Sequence, residues 1–345
     1  MAAAPGSPEL RAAETPDTLC LSDERGRALT WRDLNALADG YAATLAGELG
    51  VEAGGRVAVL PEPGVELFAV LLALAKLGAS SVLPLGAADL SRTGAADAVS
   101  PGALAPAGDA PPRFTGSAPP PAAVSFTAGR TGAPRAVVRR LGPDRAAAAT
   151  RTLADAIERV GLGPGHAHLL AAPPERAGPL FWAQLALALG GRVHVAAGAA
   201  PEDVLRSLEE REIDSAYLRP ADLEALGALP DAVKESIDTS ALDAVLCGDA
   251  PLTEAARDAA DDVLGLDLVR DVYATTETGP IAIDGEPLAG VEVQERAGAL
   301  WVRSPLLADG YLSDPEATAA AFRDGWFATG DAGAVDAGGR VVLSG

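Results

Sequence analysis

Residues 56–85 read RVAVLPEPGVELFAVLLALAKLGASSVLPL. The segment opens with a short valine-rich run, Arg56 to Leu60, of the kind that fills a buried strand. The apolar stretch from Glu66 to Leu77 predicts a helix, and Gly78 supplies its stop, because glycine accepts the left-handed backbone that ends helices. Ser80 to Leu85 reads as a second strand. Strand, helix and strand at this spacing predict a parallel sheet and place the chain in the α/β class. The apolar run from Leu67 to Leu85 is the longest in the chain, but Lys76, Gly78 and two serines interrupt it. It therefore reads as a buried helix and strand and not as a membrane span.

The same alternation extends on both sides. Thr30 is placed to cap a helix whose apolar positions Leu34, Leu37, Ala38, Tyr41 and Leu45 recur at helical spacing. Beyond residue 143 a second series is predicted, with helices at 144–160, 180–189 and 201–211. Strands at 168–171, 193–196, 215–218 and 244–246 alternate with them. Between these series, residues 86–121 are rich in Ala, Gly, Pro and Ser and read as a loop or linker. From residue 281 the pattern changes to short alternating strands, such as Val291 to Gln294 and Ala299 to Arg303, as expected of a small β-barrel. Residues 1–16 are polar and Ala/Pro-rich, and are expected to be a flexible N-terminus.

Composition narrows the function. The chain has 345 residues, 48% hydrophobic and 22% charged, and a formal net charge of −21. Such a balance is globular, and the long-range field disfavours nucleic acid and anionic membranes as partners. An anionic ligand must instead meet a local pocket of donors. Cys20 and Cys247 are too few for a disulfide framework, and His166, His168 and His194 show no metal-ligand spacing, so they read as ordinary strand or surface residues. Residues 1–16 lack the apolar core of a secretory signal, which leaves a cytoplasmic location as the expectation.

Three segments carry chemistry. Val124-Ser125-Phe126-Thr127-Ala128-Gly129-Arg130-Thr131-Gly132-Ala133-Pro134-Arg135 is an apolar strand entering a turn of hydroxyls and glycines with a cation at its end. Thr127, Gly129, Thr131 and Gly132 offer hydroxyls and unobstructed backbone N–H groups, the makings of a phosphate nest. No Gly-Lys-Ser/Thr ending is present, so it is not a Walker loop. Tyr273-Ala274-Thr275-Thr276-Glu277 sets a hydroxyl beside a hard carboxylate after a strand, as a site for Mg²⁺ and phosphate requires. Gly325-Trp326-Phe327-Ala328-Thr329-Gly330-Asp331 presents a carboxylate able to accept from two sugar hydroxyls.

In this order the three segments resemble the signatures of the adenylate-forming superfamily, which includes acyl-CoA synthetases, luciferases and peptide-synthetase adenylation domains. The resemblance covers about residues 21–345. It implies two parallel-sheet layers with flanking helices plus a small β-barrel at 281–345, making 17–345 the superfamily's large N-terminal domain, with the C-terminal domain absent. The phosphate loop departs from the family's pattern. Ala128 replaces a hydroxyl residue, Arg130 a Thr or Ser, and Arg135 the Lys, so Arg130 either clamps a phosphate or blocks one. By resemblance, Tyr273 stacks on adenine, Thr276 contacts the α-phosphate, Glu277 holds Mg²⁺ and Asp331 takes the ribose. Cys247-Gly248-Asp249-Ala250-Pro251-Leu252 is similar to the family's Gly-Ala-Pro-Leu turn, so Gly248, Asp249 and Ala250 line the adenine and acyl channel. Arg176 stands where acyl-CoA synthetases often carry a histidine.

The implied activity is ATP-dependent activation of a carboxylic acid, fatty or other, through an acyl-adenylate in the manner of an acyl-CoA ligase. Thr276, Glu277 and Arg135 are its catalytic candidates. ATP, Mg²⁺ and CoA are the implied cofactors, with CoA serving a second half-reaction that needs the missing domain. Two alternatives stand beside it. One is a degenerate relative that binds a nucleotide or acyl group without catalysis. The other is a split ligase completed by a separate C-terminal domain. A homodimer is a further candidate assembly.

Overall fold

A computed structural model describes residues 8–108, 123–127 and 133–344. Strand Arg56–Val59 lies parallel to strand Ser80–Leu83, with Val57 opposite Ser81, and helix Val65–Leu77 connects them as expected. Gly78 ends that helix at φ 69°, its N–H returning to the carbonyls of Leu74 and Ala75. A residue with a Cβ is strained in this conformation. Thr30 caps helix Trp31–Glu48 reciprocally: its hydroxyl accepts from Asp33 N at 3.2 Å, and the Asp33 carboxylate accepts from Thr30 N at 3.0 Å.

Two largely parallel sheets form the frame. One has nine strands in the order Glu286–Pro287, Gly279–Ile283, Val269–Thr275, Ala244–Cys247, Ser215–Leu218, Ala167–Leu170, Arg192–Val195, Leu19–Asp23 and Ala28–Thr30. The other has six, ordered Gly310–Tyr311, Ala136–Arg139, Ala123–Phe126, Ser80–Leu83, Arg56–Val59 and Asp97–Val99. Helices Trp31–Glu48, Val65–Leu77 and Ala177–Ala188 share one apolar core with residues of both sheets, around the fully buried Trp31 and Trp182. A second core packs the other face of the nine-stranded sheet against helices Pro201–Glu210, Pro220–Gly227 and Glu254–Val263.

Three expectations change. The stretch 86–121, read as a loop, contributes the short strand Asp97–Val99, which extends the six-stranded sheet parallel to Arg56–Val59. Three residues are too few to show a period, and the neighbouring strand supplies the ladder that fixes them. Within the N-terminus expected to be flexible, Pro8–Glu14 is helical, and Arg11 Nη2 donates to the Leu189 carbonyl at 3.3 Å, covering the open end of helix Ala177–Ala188. The strand-rich ending divides: Gly279–Ile283 and Glu286–Pro287 complete the nine-stranded sheet, and Gly310–Tyr311 joins the six-stranded one. The remainder forms a five-stranded antiparallel half-barrel of Glu292–Arg296, Ala299–Arg303, Phe322–Arg323, Trp326–Val335 and Val341–Leu343. Arg296 stacks on both Trp301 and Trp326, 4.7 Å from each ring centre, and braces this sheet.

His168 and His194 are buried. His168 Nδ1 pairs with Ser215 Oγ at 2.9 Å across neighbouring strands, and burial pulls its pKa down to about 4. Among the described residues no helix is long and apolar enough to cross a membrane.

Candidate active site

The carboxyl ends of parallel strands are where open α/β sheets gather ligands, because loops there diverge and leave a crevice. Strand Val269–Thr275 carries Tyr273 to that edge. Its pairing with Gly279–Ile283 slips between Tyr273 and Ala274, which face Ala282 and Pro280 respectively. Such a bulge re-aims a side chain without ending the strand. A similar irregularity places Asp331. On strand Trp326–Val335, Ala328 faces Trp301 while Ala332 faces Ala299, and Gly330 takes φ 77° within the gap. The outcome is a contact between two separate sheets: Tyr273 Oη donates to Asp331 Oδ2 at 2.9 Å.

Glu277 lies at the next turn and is buried. Tyr311 Oη donates to its Oε1 at 2.8 Å. Burial raises the Glu277 pKa, while the Tyr311 hydroxyl and the nearby Arg139 charge pull it back. Arg139, on the neighbouring strand of the six-stranded sheet, donates from Nε to the Leu306 carbonyl and from Nη2 to the Thr276 carbonyl, each at 2.6 Å. Desolvation lowers its pKa to about 10, so the guanidinium stays charged at neutral pH. The Thr276 hydroxyl makes no hydrogen bond among the described residues.

The ends of the glycine loop close on each other. Thr127 N donates to the Arg135 carbonyl at 3.0 Å, and Arg135 N donates to Thr127 Oγ1 at 3.0 Å. Strands Ala123–Phe126 and Ala136–Arg139 are therefore an antiparallel hairpin. The Arg135 guanidinium lies over the Tyr311 ring, 5.3 Å from its centre, and 3.6 Å from Asp314 Oδ2. Gly129, Arg130, Thr131 and Gly132 lie outside the described residues.

Gly248, Asp249 and Ala250 follow strand Ala244–Cys247 directly. Asp249 holds φ 71°, an unusual backbone for a residue with a side chain. Just past this turn, Pro251 and Leu252 share a cleft of about 460 Å³ with Tyr273, Asp271 and Arg340. Its size falls within the ordinary range for small-molecule sites. The structure thus links Arg135 and Glu277 through Tyr311, ties the Thr276 backbone to Arg139, and joins Tyr273 to Asp331 and to the cleft lined by Pro251 and Leu252. Arg139 and Tyr311 were not among the sequence candidates. An arginine inside an otherwise apolar strand was the only local sign of the first, since its partners lie 137 and 167 residues away.

A model of the AMP-binding enzyme family matches residues 8–88 and 87–290. The chain belongs to the AMP-binding enzyme family. A 4-chlorobenzoate–CoA ligase from Arthrobacter sp. is 30% identical over 265 residues, covering 69% of this chain and 49% of that protein. This AMP-binding family member thus spans about half the length of that relative. Its fold matches the O-succinylbenzoate CoA synthetase MenE of Bacillus subtilis, solved with ATP and magnesium, at a TM-score of 0.80 and 20% identity. That match covers 97% of this chain and 78% of the other. The inhibitor-bound N-terminal domain of FACL13 from Mycobacterium tuberculosis superposes with a TM-score of 0.78 and 22% identity, covering 98% of each.

Proposed function

We propose that this chain binds ATP with Mg²⁺ and activates a small carboxylic acid as an acyl-adenylate, within an acyl-CoA ligase. The observation that carries the reading is the convergence of Asp331 on Tyr273 from a different sheet, where Tyr273 also lines a cleft of about 460 Å³. In this reading Asp331 accepts from the ribose hydroxyls while the Tyr273 ring lies against adenine and its hydroxyl orients the carboxylate. The backbone of Gly248, Asp249 and Ala250 lines the passage between adenine and the acyl group.

The donor set fits Mg²⁺. Glu277 supplies a hard carboxylate, and no group of three or more His, Cys, Asp or Glu side chains that could hold a metal occurs among the described residues. That matches an ion which takes one or two carboxylates and completes its shell with phosphate and water. When bound, Mg²⁺ offsets charge on the phosphate oxygens. The chain's own residues do the rest. The Thr276 hydroxyl donates to the α-phosphate. Arg135 and the glycine loop hold the β- and γ-phosphates in line, so that the substrate carboxylate forms a P–O bond as pyrophosphate departs. Tyr311 orients the Glu277 carboxylate and favours its charged form against the burial that raises its pKa. CoA is the proposed acceptor in the whole protein, as the names of the matching CoA ligases suggest.

Calorimetric titration of the 345-residue chain with Mg-ATP and with a non-hydrolysable acyl-sulfamoyladenosine tests this reading. Binding is expected, and Asp331→Ala should weaken it on the order of thirtyfold, as loss of charge-assisted hydrogen bonds implies. Arg135→Ala should weaken it less. Unchanged affinity in Asp331→Ala overturns the ribose assignment, and no binding by the parent chain overturns the reading.

A further inference from the structure

Tyr217, near the carboxyl end of strand Ser215–Leu218, is 2% exposed. Its hydroxyl makes no hydrogen bond among the described residues. The buried side-chain atoms without a partner among the described residues are Arg11 Nε, His168 Nε2 and Arg192 Nε, so the tip of Tyr217 keeps contact with solvent, and a ligand that covered it without pairing it would incur roughly 1–3 kcal/mol.

Its surroundings give it direction. The oxygen projects into the gap between Gly178, in the first turn of helix Ala177–Ala188, and Gly248, in the turn after strand Ala244–Cys247. A Cβ on Gly178 would lie 2.8 Å from Tyr217 Oη, and one on Gly248 2.6 Å from it. Neither position tolerates a side chain while the tyrosine stays where it is. Gly248 belongs to the turn assigned above to the passage between adenine and acyl group. The free hydroxyl is therefore held at the wall of that passage, beside the open N–H groups of a helix start.

We infer that Tyr217 Oη reads a polar atom on the acyl portion of the substrate, so that the preferred acid carries a hydrogen-bond acceptor, such as an oxo group, and is not a plain hydrocarbon chain. The inference rests on the acyl-adenylate reading. An apolar tail would leave the hydroxyl desolvated and unpaired, and sites built to pair a polar group reject analogues that lack it. Replacing the hydroxyl by hydrogen removes both the reward and the penalty.

The test is calorimetric titration of the chain with acyl-sulfamoyladenosines of one length: hexanoyl, 3-oxohexanoyl, 4-oxohexanoyl and 5-oxohexanoyl. The parent chain should bind at least one oxo isomer about tenfold more tightly than hexanoyl, the equivalent of one hydrogen bond. Tyr217→Phe should erase that preference by weakening the oxo compound while hexanoyl binds as well or better. Its urea midpoint should not fall, since no hydrogen bond within the protein is lost. Equal binding of all four compounds by the parent chain overturns the inference and leaves the adenylate reading standing. So does an oxo preference that survives in Tyr217→Phe, as when a buried water satisfies the hydroxyl. Failure of every compound, hexanoyl included, overturns both.

Discussion

Two tyrosine–carboxylate pairs flank the end of strand Val269–Thr275, one sealed and the other open. Tyr311–Glu277 joins the six-stranded sheet to the nine-stranded one and is closed in by Arg139 and Arg135. Tyr273–Asp331 joins the nine-stranded sheet to the half-barrel; both tyrosines and Asp331 are half-buried, and only the Glu277 carboxylate is buried. The hydrogen bonds differ little in length, at 2.8 and 2.9 Å, so distance does not separate them. Surroundings do. In the sealed pair the carboxylate has lost water, its pKa is raised, and the half-buried Arg139 offsets part of the loss. In the open pair water and ligands can compete for the carboxylate. The lesson is that the first pair is a joint of the fold that also presents an oxygen, whereas the second is a contact a ligand can remodel at small cost.

The comparison breaks most readily at Arg139. Arg139→Leu strips the carbonyls of Thr276 and Leu306 of their donor and leaves Glu277 without its half-buried cation. Urea unfolding should show a loss of about 3–5 kcal/mol, the usual result of breaking a buried charge network. A loss below about 1 kcal/mol would mean that water already reaches the joint.

Acid sharpens the contrast by exposing a third buried group, in the sheet interior. His168 is neutral in the fold with a pKa near 4, against an ordinary value of 6.5. The unfolded chain therefore takes up a proton that the folded chain refuses, and stability falls as pH drops from 6.5 towards 4, by about 3 kcal/mol in all. Urea midpoints measured across that range should decline in the parent chain and much less in His168→Gln. Parallel declines would place the titration elsewhere. Comparisons of the two carboxylate pairs are cleanest above pH 6.5, where this background is flat.

The smallest effect belongs to the open pair. Tyr273→Phe removes one hydrogen bond at a half-buried position and should lower stability by about 1 kcal/mol or less. Thermal denaturation would reveal a larger loss, which would make this contact a second sealed joint.

What the sequence discloses follows the same division. Asp331 stands in a local pattern, a carboxylate after a Thr-Gly turn, and Tyr273 could be named through the resemblance of residues 273–277 to a family signature, both before any fold was drawn. Glu277 was legible for the same reason. Their supports were not, because these are long-range partners: Tyr311 reaches Glu277 from 34 residues away, and Arg139 reaches Thr276 from 137. Strand–helix alternation at 56–85 disclosed the parallel sheets because burial on both faces writes an apolar run. Strand Asp97–Val99 was hidden, since it owes its form to Arg56–Val59 and not to its own residues. The bulges that aim Tyr273 and Asp331 depend on register between strands, which no single segment encodes. Nothing in the sequence singles out Tyr217, because Gly178 and Gly248 meet its oxygen only in the fold.

The parallel pairing of strand Leu19–Asp23 with Arg192–Val195 has a consequence for synthesis. Ser22 meets His194 across 172 residues of chain, and Leu21 faces Val193. A ribosome adding about 5–20 residues per second needs roughly ten to thirty seconds to make that span. For that interval Cys20 and Leu21, both fully buried in the finished protein, have only the short neighbouring strand Ala28–Thr30 to pair with. One edge of this strand is thus paired as soon as it is made, while the other stays open until the middle of the chain has been translated.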